Sequence, residues 1–197
     1  MLIKQLKLGL MANFSYIVAE KEGGDCVLID PSWDIKAILA AAEAASLSIK
    51  AAFLTHGHFD HSKRIDALLK TTPVYVEESD LSFLEADGKL FRTFRGDSVF
   101  SPAGFEIRAL HTPGHSPGCV CYLVGGNLFT GDTLFAGAVG RVDLPGSDPR
   151  LMGESLRRLA RLPPETAVYP GHAYGETDSS TIGEQLRENI YMQNAAR

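Results

Sequence analysis

The chain has 197 residues, a formal net charge of −5, 45% hydrophobic residues and 22% charged residues, a balance typical of a folded domain and not of a disordered chain. The acidic charge argues against a nucleic-acid binder, and no apolar run approaches the ~18 residues that a membrane span requires. Three cysteines cannot form a closed set of disulfides and no signal-peptide pattern opens the chain, so we expect a location in the cytoplasm. From the length, the charge and the hydropathy we expect a single domain over residues 1–197 with no nucleic-acid or membrane partner.

The first half of the chain predicts a β-rich region that contains one long helix. Strands are expected at residues 2–10, 13–20, 25–30, 51–55 and 74–76. Helices are expected at residues 34–46, around residues 65–69 and at residues 80–85. Residues 86–104 carry glycines and a proline without periodicity and are expected to be irregular.

The second half repeats this arrangement of strands followed by helices. Strands are expected at residues 105–110, 119–124, 127–130 and 167–169, with a hairpin turn at Gly125-Gly126. A long loop at residues 131–148 precedes a helix at residues 149–161, and a last helix is expected at residues 179–194, capped by Ser180 or Thr181. Two β-rich regions, each followed by helices, predict two sheets packed together with helices on the outside.

Residues 56–61 (HGHFDH) follow a predicted buried strand directly and carry four potential metal ligands: His56, His58, Asp60 and His61. Imidazole nitrogens and carboxylate oxygens are the ligands that zinc or iron sites use. Gly57 would let the backbone curl so that all four side chains can meet. A solvated polar loop could have the same composition, but the density of ligands favours a metal site, with room for two adjacent metals.

Three further candidate ligands also follow predicted strands. They are His115 in HTPGH, Asp132 in LFTGD and His172 in VYPGH. Any one of them alone would more often be structural, but together they predict a single site at one edge of the sheets. His111 is interpreted as a structural residue that holds its loop by hydrogen bonding.

Five sequence motifs resemble those of the metallo-β-lactamase superfamily, in particular those of the short bacterial hydroxyacylglutathione hydrolases (type II glyoxalases). The motifs are THGHFDH, HTPGHSPG, FTGDTLF, GRVDLPGSD and YPGH. The resemblance covers essentially the whole chain. It implies an α/β fold, an αββα sandwich of two mixed β-sheets flanked by helices, and a centre with two divalent metal ions. Zinc is expected first, with iron or manganese as alternatives.

The family pattern also implies which residue holds which metal. His56, His58 and His115 would hold one ion, and Asp60, His61 and His172 would hold the other. Asp132 would bridge the two ions.

The resemblance implies a metal-dependent hydrolase that cleaves a thioester such as S-lactoylglutathione. Two metals lower the pKa of a shared water toward ~7, and the resulting hydroxide would attack the thioester carbonyl. Asp60 and Asp132 are the predicted catalytic residues. Asp132 would bridge the two ions, and Asp60 could also orient the hydroxide. The segment Gly114–Gly118 has the spacing of a serine-nucleophile turn, but Pro117 lacks the backbone N–H that such a turn needs after its serine.

Other functions stay open at this point. Persulfide dioxygenases keep the same motifs but use one iron, held by the residues that match His56, His115 and Asp132. Hydrolysis of a lactone or another ester is a further alternative, as is a metal-binding module without catalysis. The retention of every ligand for a second metal favours the hydrolase.

Three residues are predicted to bind a glutathione-linked substrate. Arg141 lies nine positions after Asp132 and Tyr174 lies two after His172, both at positions that bind substrate in the family, while Lys63 could attract an anion. Alternatively, Arg141 pairs with Asp143 and the other two are ordinary surface residues. The helical substrate domain of the longer glyoxalases is not expected in a chain of 197 residues.

Overall fold

Six strands from the first half of the chain form one mixed sheet in the computed structural model, which describes residues 1–196. The strands are β1 (Leu2–Leu8), β2 (Asn13–Ala19), β3 (Asp25–Ile29), β4 (Ser48–Phe53), β5 (Val74–Glu77) and β6 (Arg92–Phe94). They lie side by side in chain order. The first three pair antiparallel, and the remaining pairings are parallel.

A second mixed sheet is built by the second half of the chain. Its strands and a small separate hairpin are β7 (Ser98–Phe100), β8 (Ile107–His111), β9 (Val120–Val124), β10 (Asn127–Gly131), β11 (Leu134–Phe135), β12 (Ala138–Val139), β13 (Ala167–Pro170) and β14 (Ser180–Thr181). The sheet order is β14-β13-β10-β9-β8-β7, and β11 pairs only with β12. The pairing of β10 with β13 is parallel and the other pairings in this sheet are antiparallel.

Most of the helices begin at polar side-chain caps that the sequence supplies. They are α1 (Ile35–Ala44), α2 (Phe59–Ser62), α3 (Asp66–Leu69), α4 (Pro149–Leu159), α5 (Ile182–Glu188) and α6 (Ile190–Ala195). Asp34 caps α1 and Asp148 caps α4, in both cases by accepting a backbone N–H of the first turn. Thr181 and Glu184 form a reciprocal capping box at α5.

Alternation along the strands produces three apolar layers. On β2, Phe14, Tyr16 and Val18 face the second sheet, while Ile17 and Ala19 face α1. A third cluster lies between the second sheet and the helices α4, α5 and α6. The predicted αββα sandwich of two mixed sheets flanked by helices is therefore confirmed, because each sheet buries both of its faces.

Three predictions about local structure were wrong in part. Residues 86–104 are not irregular throughout, because they contain a 3₁₀ turn at Gly88–Leu90 and the short strands β6 and β7, which pair at the edges of the two sheets. Residues 131–148 are not only a loop, since the β11–β12 hairpin lies within them. The predicted helix at residues 80–85 is instead a 3₁₀ turn at Glu78–Phe83.

The last predicted helix is divided into two. Asn189 ends α5 with an extended backbone and then caps α6, where its side chain accepts the N–H of Tyr191. The Asn189 amide also donates to the carbonyl of Ala138, which ties the break to β12. Among the described residues, no helix is both long enough and apolar enough to cross a membrane.

Candidate metal centre

The HGHFDH segment begins three residues after β4 ends, and its last three residues lie in the single turn of α2. This turn brings His61 back beside His56, so that their ring centroids are 4.2 Å apart. Gly57 does not adopt a positive φ, as the expected curl would suggest. It is required because a Cβ at this position would lie 2.5 Å from the backbone oxygen of Asp80.

The other three predicted ligands come from the second sheet. Asp132 directly follows β10, His172 lies two residues beyond β13, and His115 lies in the loop between β8 and β9. All three side chains are buried, with Asp132 the most exposed at 8%. The structure therefore brings all seven predicted ligands to one place, where the carboxyl ends of strands from both sheets meet.

The seven side chains form three overlapping groups that could hold metal ions. The groups are His56, His58 and His115; Asp60, His61 and His172; and His56, His61 and Asp132. Within each group one ligand atom per residue lies within 4.8 Å of the others. Asp132 lies in the group that joins members of the other two, as expected for a bridging ligand.

Ring nitrogens of this cluster lie close to one another and to the carboxylates, an arrangement that suits metal ligands. Nδ1 of His58 faces Nε2 of His115 at 2.9 Å, and Nε2 of His61 faces Nε2 of His172 at 3.1 Å. Nε2 of His56 and Oδ1 of Asp132 are buried without any hydrogen-bond partner. Buried polar atoms are rarely left unpaired, so these residues fit metal ions that would satisfy them.

Four of the imidazoles use their other ring nitrogen for a contact outside the cluster. Nδ1 of His61 lies 2.9 Å from Asp30, and Nδ1 of His115 lies 2.9 Å from the carbonyl of Arg141. Nδ1 of His172 lies 2.9 Å from the carbonyl of Met11. Nδ1 of His56 lies 3.1 Å from the hydroxyl of Thr55. Such partners fix the ring orientation and leave the inner nitrogen free to bind a metal.

The sequence analysis missed Asp30, which anchors α2 to the first sheet. Its two carboxylate oxygens accept the backbone N–H of Thr55 at 2.7 Å and the hydroxyl of Thr55 at 2.6 Å. The same carboxylate contacts His61. Asp30 directly follows β3 and has a φ of 47°, so its only signal in the sequence is a polar residue at the end of a buried strand.

Asn13 was also missed, and it holds Asp60 in place. Its amide nitrogen donates to Oδ2 of Asp60 at 2.9 Å, and its amide oxygen accepts the indole N–H of Trp33 at 2.9 Å. The bond from Trp33 fixes which end of the amide faces Asp60. Trp33 is therefore linked to the cluster through Asn13.

Asp80 is the third missed residue, and it joins the two halves of the cluster. One oxygen accepts the backbone N–H of Gly57 at 2.8 Å and the hydroxyl of Ser116 at 2.6 Å, and the other accepts the N–H of Gly118 at 2.6 Å. A Cβ at Gly118 would lie 2.7 Å from the Asp80 carboxylate. The fully buried Asp80 thus connects the loop that carries His58 to the loop of the second sheet.

His111, which is interpreted as a structural residue, has the expected kind of contact, and Ser116 is held in a similar way. Nε2 of His111 lies 2.9 Å from the carbonyl of Pro117 and holds the loop between β8 and β9 closed. Ser116 is buried and donates to Asp80, so its hydroxyl has no free path to a substrate.

The charges of the cluster shift the pKa of its members in opposite directions. Burial opposes ionisation of both His61 and Asp132, but their mutual attraction prevails, so that the pKa of His61 lies well above its usual value and that of Asp132 well below. Burial is likewise overcome at Asp60, where His172 and other neighbours lower the pKa to about 2, and at His172, where Asp132 and Asp60 raise the pKa to about 9. Burial lowers the pKa of His56 well below its ordinary range. The carboxylates are thus ionised, the state in which they bind cations.

The sequence matches the metallo-β-lactamase superfamily over residues 8–172. The chain belongs to this superfamily. The expected family and the metallo-β-lactamase fold are therefore confirmed, and with them a place among metal-dependent hydrolases.

Individual relatives of this metallo-β-lactamase superfamily member differ in their named functions. It is 33% identical over 187 residues to the probable polyketide biosynthesis zinc-dependent hydrolase BaeB of Bacillus velezensis, over 93% of this chain and 83% of that protein. It is 32% identical over 182 residues to the hydroxyacylglutathione hydrolase of Tolumonas auensis, over 90% of this chain and 68% of that protein. The crystal structure of ETHE1 from Myxococcus xanthus is similar with a TM-score of 0.86 at 29% identity, over 96% of this chain and 84% of that one.

A cavity of about 680 Å³ opens over the ligand cluster of this superfamily member. Five of the predicted ligands reach its surface: His58, Asp60, His115, Asp132 and His172. Much of the remaining wall is apolar and includes Phe83, Phe135, Val139 and Leu144. A volume within the roughly 300–1,000 Å³ typical of ligand pockets makes this cavity the candidate substrate site.

The predicted substrate-binding residues lie at different distances from this cavity. Arg141 and Tyr174 both line it. The Arg141 guanidinium makes two 2.9 Å hydrogen bonds to the carboxylate of Asp143, and the Tyr174 ring stacks on His172 with centroids 4.4 Å apart. Lys63 is not among the residues that line the cavity, and its ammonium lies 5.8 Å from the ring centroids of Trp33 and Phe59.

Proposed function

We propose that the protein is a binuclear metal-dependent hydrolase that cleaves a thioester such as S-lactoylglutathione. The observation that carries this proposal is the complete pair of three-residue ligand groups, joined by a third group that contains Asp132. An enzyme with one metal would not need ligands for a second ion. The similarity to a hydroxyacylglutathione hydrolase supports the thioester and the glutathione-linked substrate.

The residues present fit two divalent ions, and zinc is the first choice because His and Asp ligands suit it and because a relative is named a zinc-dependent hydrolase. His56, His58 and His115 would hold one ion, Asp60, His61 and His172 the other, and Asp132 would contact both. When bound, the ions would lower the pKa of water and polarise the thioester carbonyl.

The reaction consumes one water. The carbonyl carbon gains a bond to the water oxygen and loses its bond to sulfur, which leaves as a thiolate, and the products are a carboxylic acid and a thiol. A thiol has a pKa near ~8.5, so the thiolate leaves without a strong general acid. This agrees with a cavity in which the ionisable side chains, apart from the predicted ligands, are Arg141 and Tyr174 among the described residues.

The remaining polar residues of the cavity would bind and orient the substrate. Asp60 is held by Asn13 and His172, so its carboxylate can accept a hydrogen bond from the attacking water in a fixed direction. Arg141 would bind a carboxylate of glutathione after its pair with Asp143 opens, and Tyr174 would donate to a glutathione carbonyl. Lys63 would act at longer range, behind Phe59, by attracting the anionic substrate.

Metal content and hydrolysis measured together test the proposal. We expect about two metal ions per chain and release of thiol from S-lactoylglutathione. His115→Ala should lower metal content and abolish hydrolysis, whereas Asp87→Asn changes an exposed carboxylate outside the three groups and should keep both metals. Two bound metals without hydrolysis of any thioester would contradict the proposed activity.

Arg141 can be tested with a matched control. Arg95 also makes an exposed two-bond pair with a carboxylate, that of Glu78, but lies outside the cavity. Arg141→Ala should raise KM for S-lactoylglutathione with little change in kcat, and Arg95→Ala should change neither. An unchanged KM in Arg141→Ala would remove this residue from the substrate site.

A persulfide dioxygenase with a single iron is the second candidate, favoured by the similarity to ETHE1. His56, His115 and Asp132 would then hold the iron. One iron per chain together with oxygen uptake on glutathione persulfide would replace the hydrolase proposal. Hydrolysis of lactones or other esters, which releases acid but no thiol, is compared by acid release from the same metal-loaded protein.

A further inference from the structure

Two phenylalanine rings lie against the ligand cluster, one beside each of the two ligand groups. The Phe83 ring meets the His58 ring edge to face, with centroids 5.3 Å apart. The Phe135 ring, which is 4% exposed, meets the His172 ring edge to face at 5.9 Å. A carbonyl that reaches the cluster therefore has an aromatic wall on both sides of it.

The apolar wall continues outward from these rings. Val139 lies on β12 of the small hairpin, and Leu144 lies in the loop that leads to α4. Among the described residues, Arg141 and Tyr174 contribute the only polar side chains of the cavity besides the predicted ligands. Arg141 is paired with Asp143, so the wall offers few side-chain partners for a polar substrate group.

We infer that the acyl group of the substrate is apolar and longer than lactoyl. This inference rests on the proposed thioester hydrolysis and concerns only the acyl side of the bond. A cavity of about 680 Å³ is much larger than a three-carbon acyl group requires. Each methylene buried against the wall should improve binding about twofold to fourfold. A hydroxyl placed there without a hydrogen-bond partner should weaken binding, because it gives up its hydrogen bonds to water.

The acyl group fits this wall better than the thiol half of the substrate does. Glutathione carries amides and charges along its whole length, and each of these groups would need a hydrogen-bond partner after burial. An alkyl chain needs none. The thiol half is therefore assigned to the open mouth of the cavity, near the exposed side chain of Arg141.

The test compares thioesters that share one thiol, N-acetylcysteamine, and differ only in the acyl group. Acetyl, propionyl, butyryl, hexanoyl, octanoyl and lactoyl esters are assayed with the zinc-loaded protein, and each kcat/KM is divided by the rate of hydroxide hydrolysis of the same ester. The ratio should rise about twofold to fourfold per methylene, and therefore about 16-fold to 250-fold over the four methylenes from butyryl to octanoyl. Propionyl should exceed lactoyl, from which it differs by one hydroxyl.

A second measurement does not depend on turnover. The Kd values of S-alkyl thioethers of N-acetylcysteamine, which cannot be hydrolysed, are measured by titration calorimetry. They should fall by the same factor per methylene. A Kd that does not depend on chain length would overturn the inference even if every thioester were hydrolysed.

Shape-conserving variants locate the effect in the cavity. Leu144→Asn and Val139→Thr keep the size of the side chain and add polar atoms, so both should reduce the dependence on chain length in both measurements. Val99 is exposed on β7 outside the cavity, and Val99→Ala should leave the dependence as it is. If Leu144→Asn and Val139→Thr keep the full dependence, this wall does not bind the acyl group.

The failure of this inference and of the proposed function are distinguishable. Hydrolysis of all esters at equal normalised rates, or a preference for lactoyl over propionyl, would overturn the inference and leave the hydrolase intact. No hydrolysis of these esters or of S-lactoylglutathione by the metal-loaded protein would overturn the proposed function, and with it the assignment of an acyl substrate.

Discussion

Replacing Asp80 should loosen the cluster without removing any predicted ligand. The Asp80 carboxylate accepts three hydrogen bonds, from the N–H of Gly57, the N–H of Gly118 and the hydroxyl of Ser116. Gly57 lies between His56 and His58, and Gly118 belongs to the loop that carries His115. A change at Asp80 therefore acts on both sides of one ligand group.

The expected cost follows from counting donors. A hydrogen bond to a charged acceptor contributes roughly 1.5–3 kcal/mol, and Asp80→Ala removes the charged acceptor of three buried donors, which totals about 4.5–9 kcal/mol. That is a large share of a typical domain stability of about 5–15 kcal/mol, so the alanine variant is expected to unfold easily. Asp80→Asn is milder, because the Ser116 hydroxyl can rotate and accept from the new amide, while one backbone N–H faces the amide nitrogen. We expect Asp80→Asn to cost about 2–3 kcal/mol.

Urea unfolding of the metal-free protein measures this cost without any contribution from metal binding. Competition with a chromogenic chelator then measures metal affinity, which should fall about tenfold or more in Asp80→Asn, as for other residues that orient ligands. Asp87 is the matched control, because it is exposed and accepts only the N–H of Lys89, so Asp87→Asn should change stability by less than about 0.5 kcal/mol. Stability and metal affinity of Asp80→Asn equal to those of Asp87→Asn would refute the role of Asp80.

Three further outcomes are expected. Asp132→Ala should abolish hydrolysis and lower metal content, and a fully active variant would refute its place between the two ligand groups. The Arg158 guanidinium lowers the pKa of the Asp97 carboxyl, so the pair stabilises the fold above the unfolded pKa near 3.8 and this contribution is lost as the pH falls through the folded value. Asp97→Asn should therefore reduce the fall in the free energy of unfolding between about pH 5 and pH 2. The change should be less than about 1 kcal/mol because the pair is partly exposed, and an unchanged pH dependence would contradict this expectation. All three cysteines are buried, and burial raises the pKa of Cys26 and of Cys121 to about 11. A thiol reagent at neutral pH should therefore label the protein only after unfolding. Rapid labelling of the native protein would contradict the buried positions.

Much of the fold could be predicted because its signals are local. Alternation on β2 and the cap at Asp34 lie within one element, so the sequence contains them in full. The edge strands β6 and β7 have three residues each and depend on their neighbours in the sheets, so residues 86–104 carried no periodicity to recognise. The break at Asn189 depends on a contact with Ala138, which is 51 residues away.

The candidate site likewise has residues that could be predicted from the sequence and residues that could not. The seven predicted ligands are chemically conspicuous and follow strands, so each could be proposed from the sequence, and the structure brings them together. Asp30, Asn13 and Asp80 are single polar residues in segments without a recognisable motif. Each lies 23 or more residues away in the sequence from the predicted ligand or ligand loop that it holds. Only burial distinguishes them from surface residues, and burial is a property of the folded chain.

The positions of Asp30 and Asp80 explain why the ligand motif and the fold go together. Asp30 ties α2 to the first sheet, whereas Asp80 ties the HGHFDH segment to the second sheet. Each of the three ligand groups also draws residues from both sheets. Any loosening of the contact between the sheets therefore separates the members of all three groups at once, and metal ions that bind the groups would in turn hold the sheets together. A chain that keeps all seven ligands must consequently keep the packing of the sandwich that positions them.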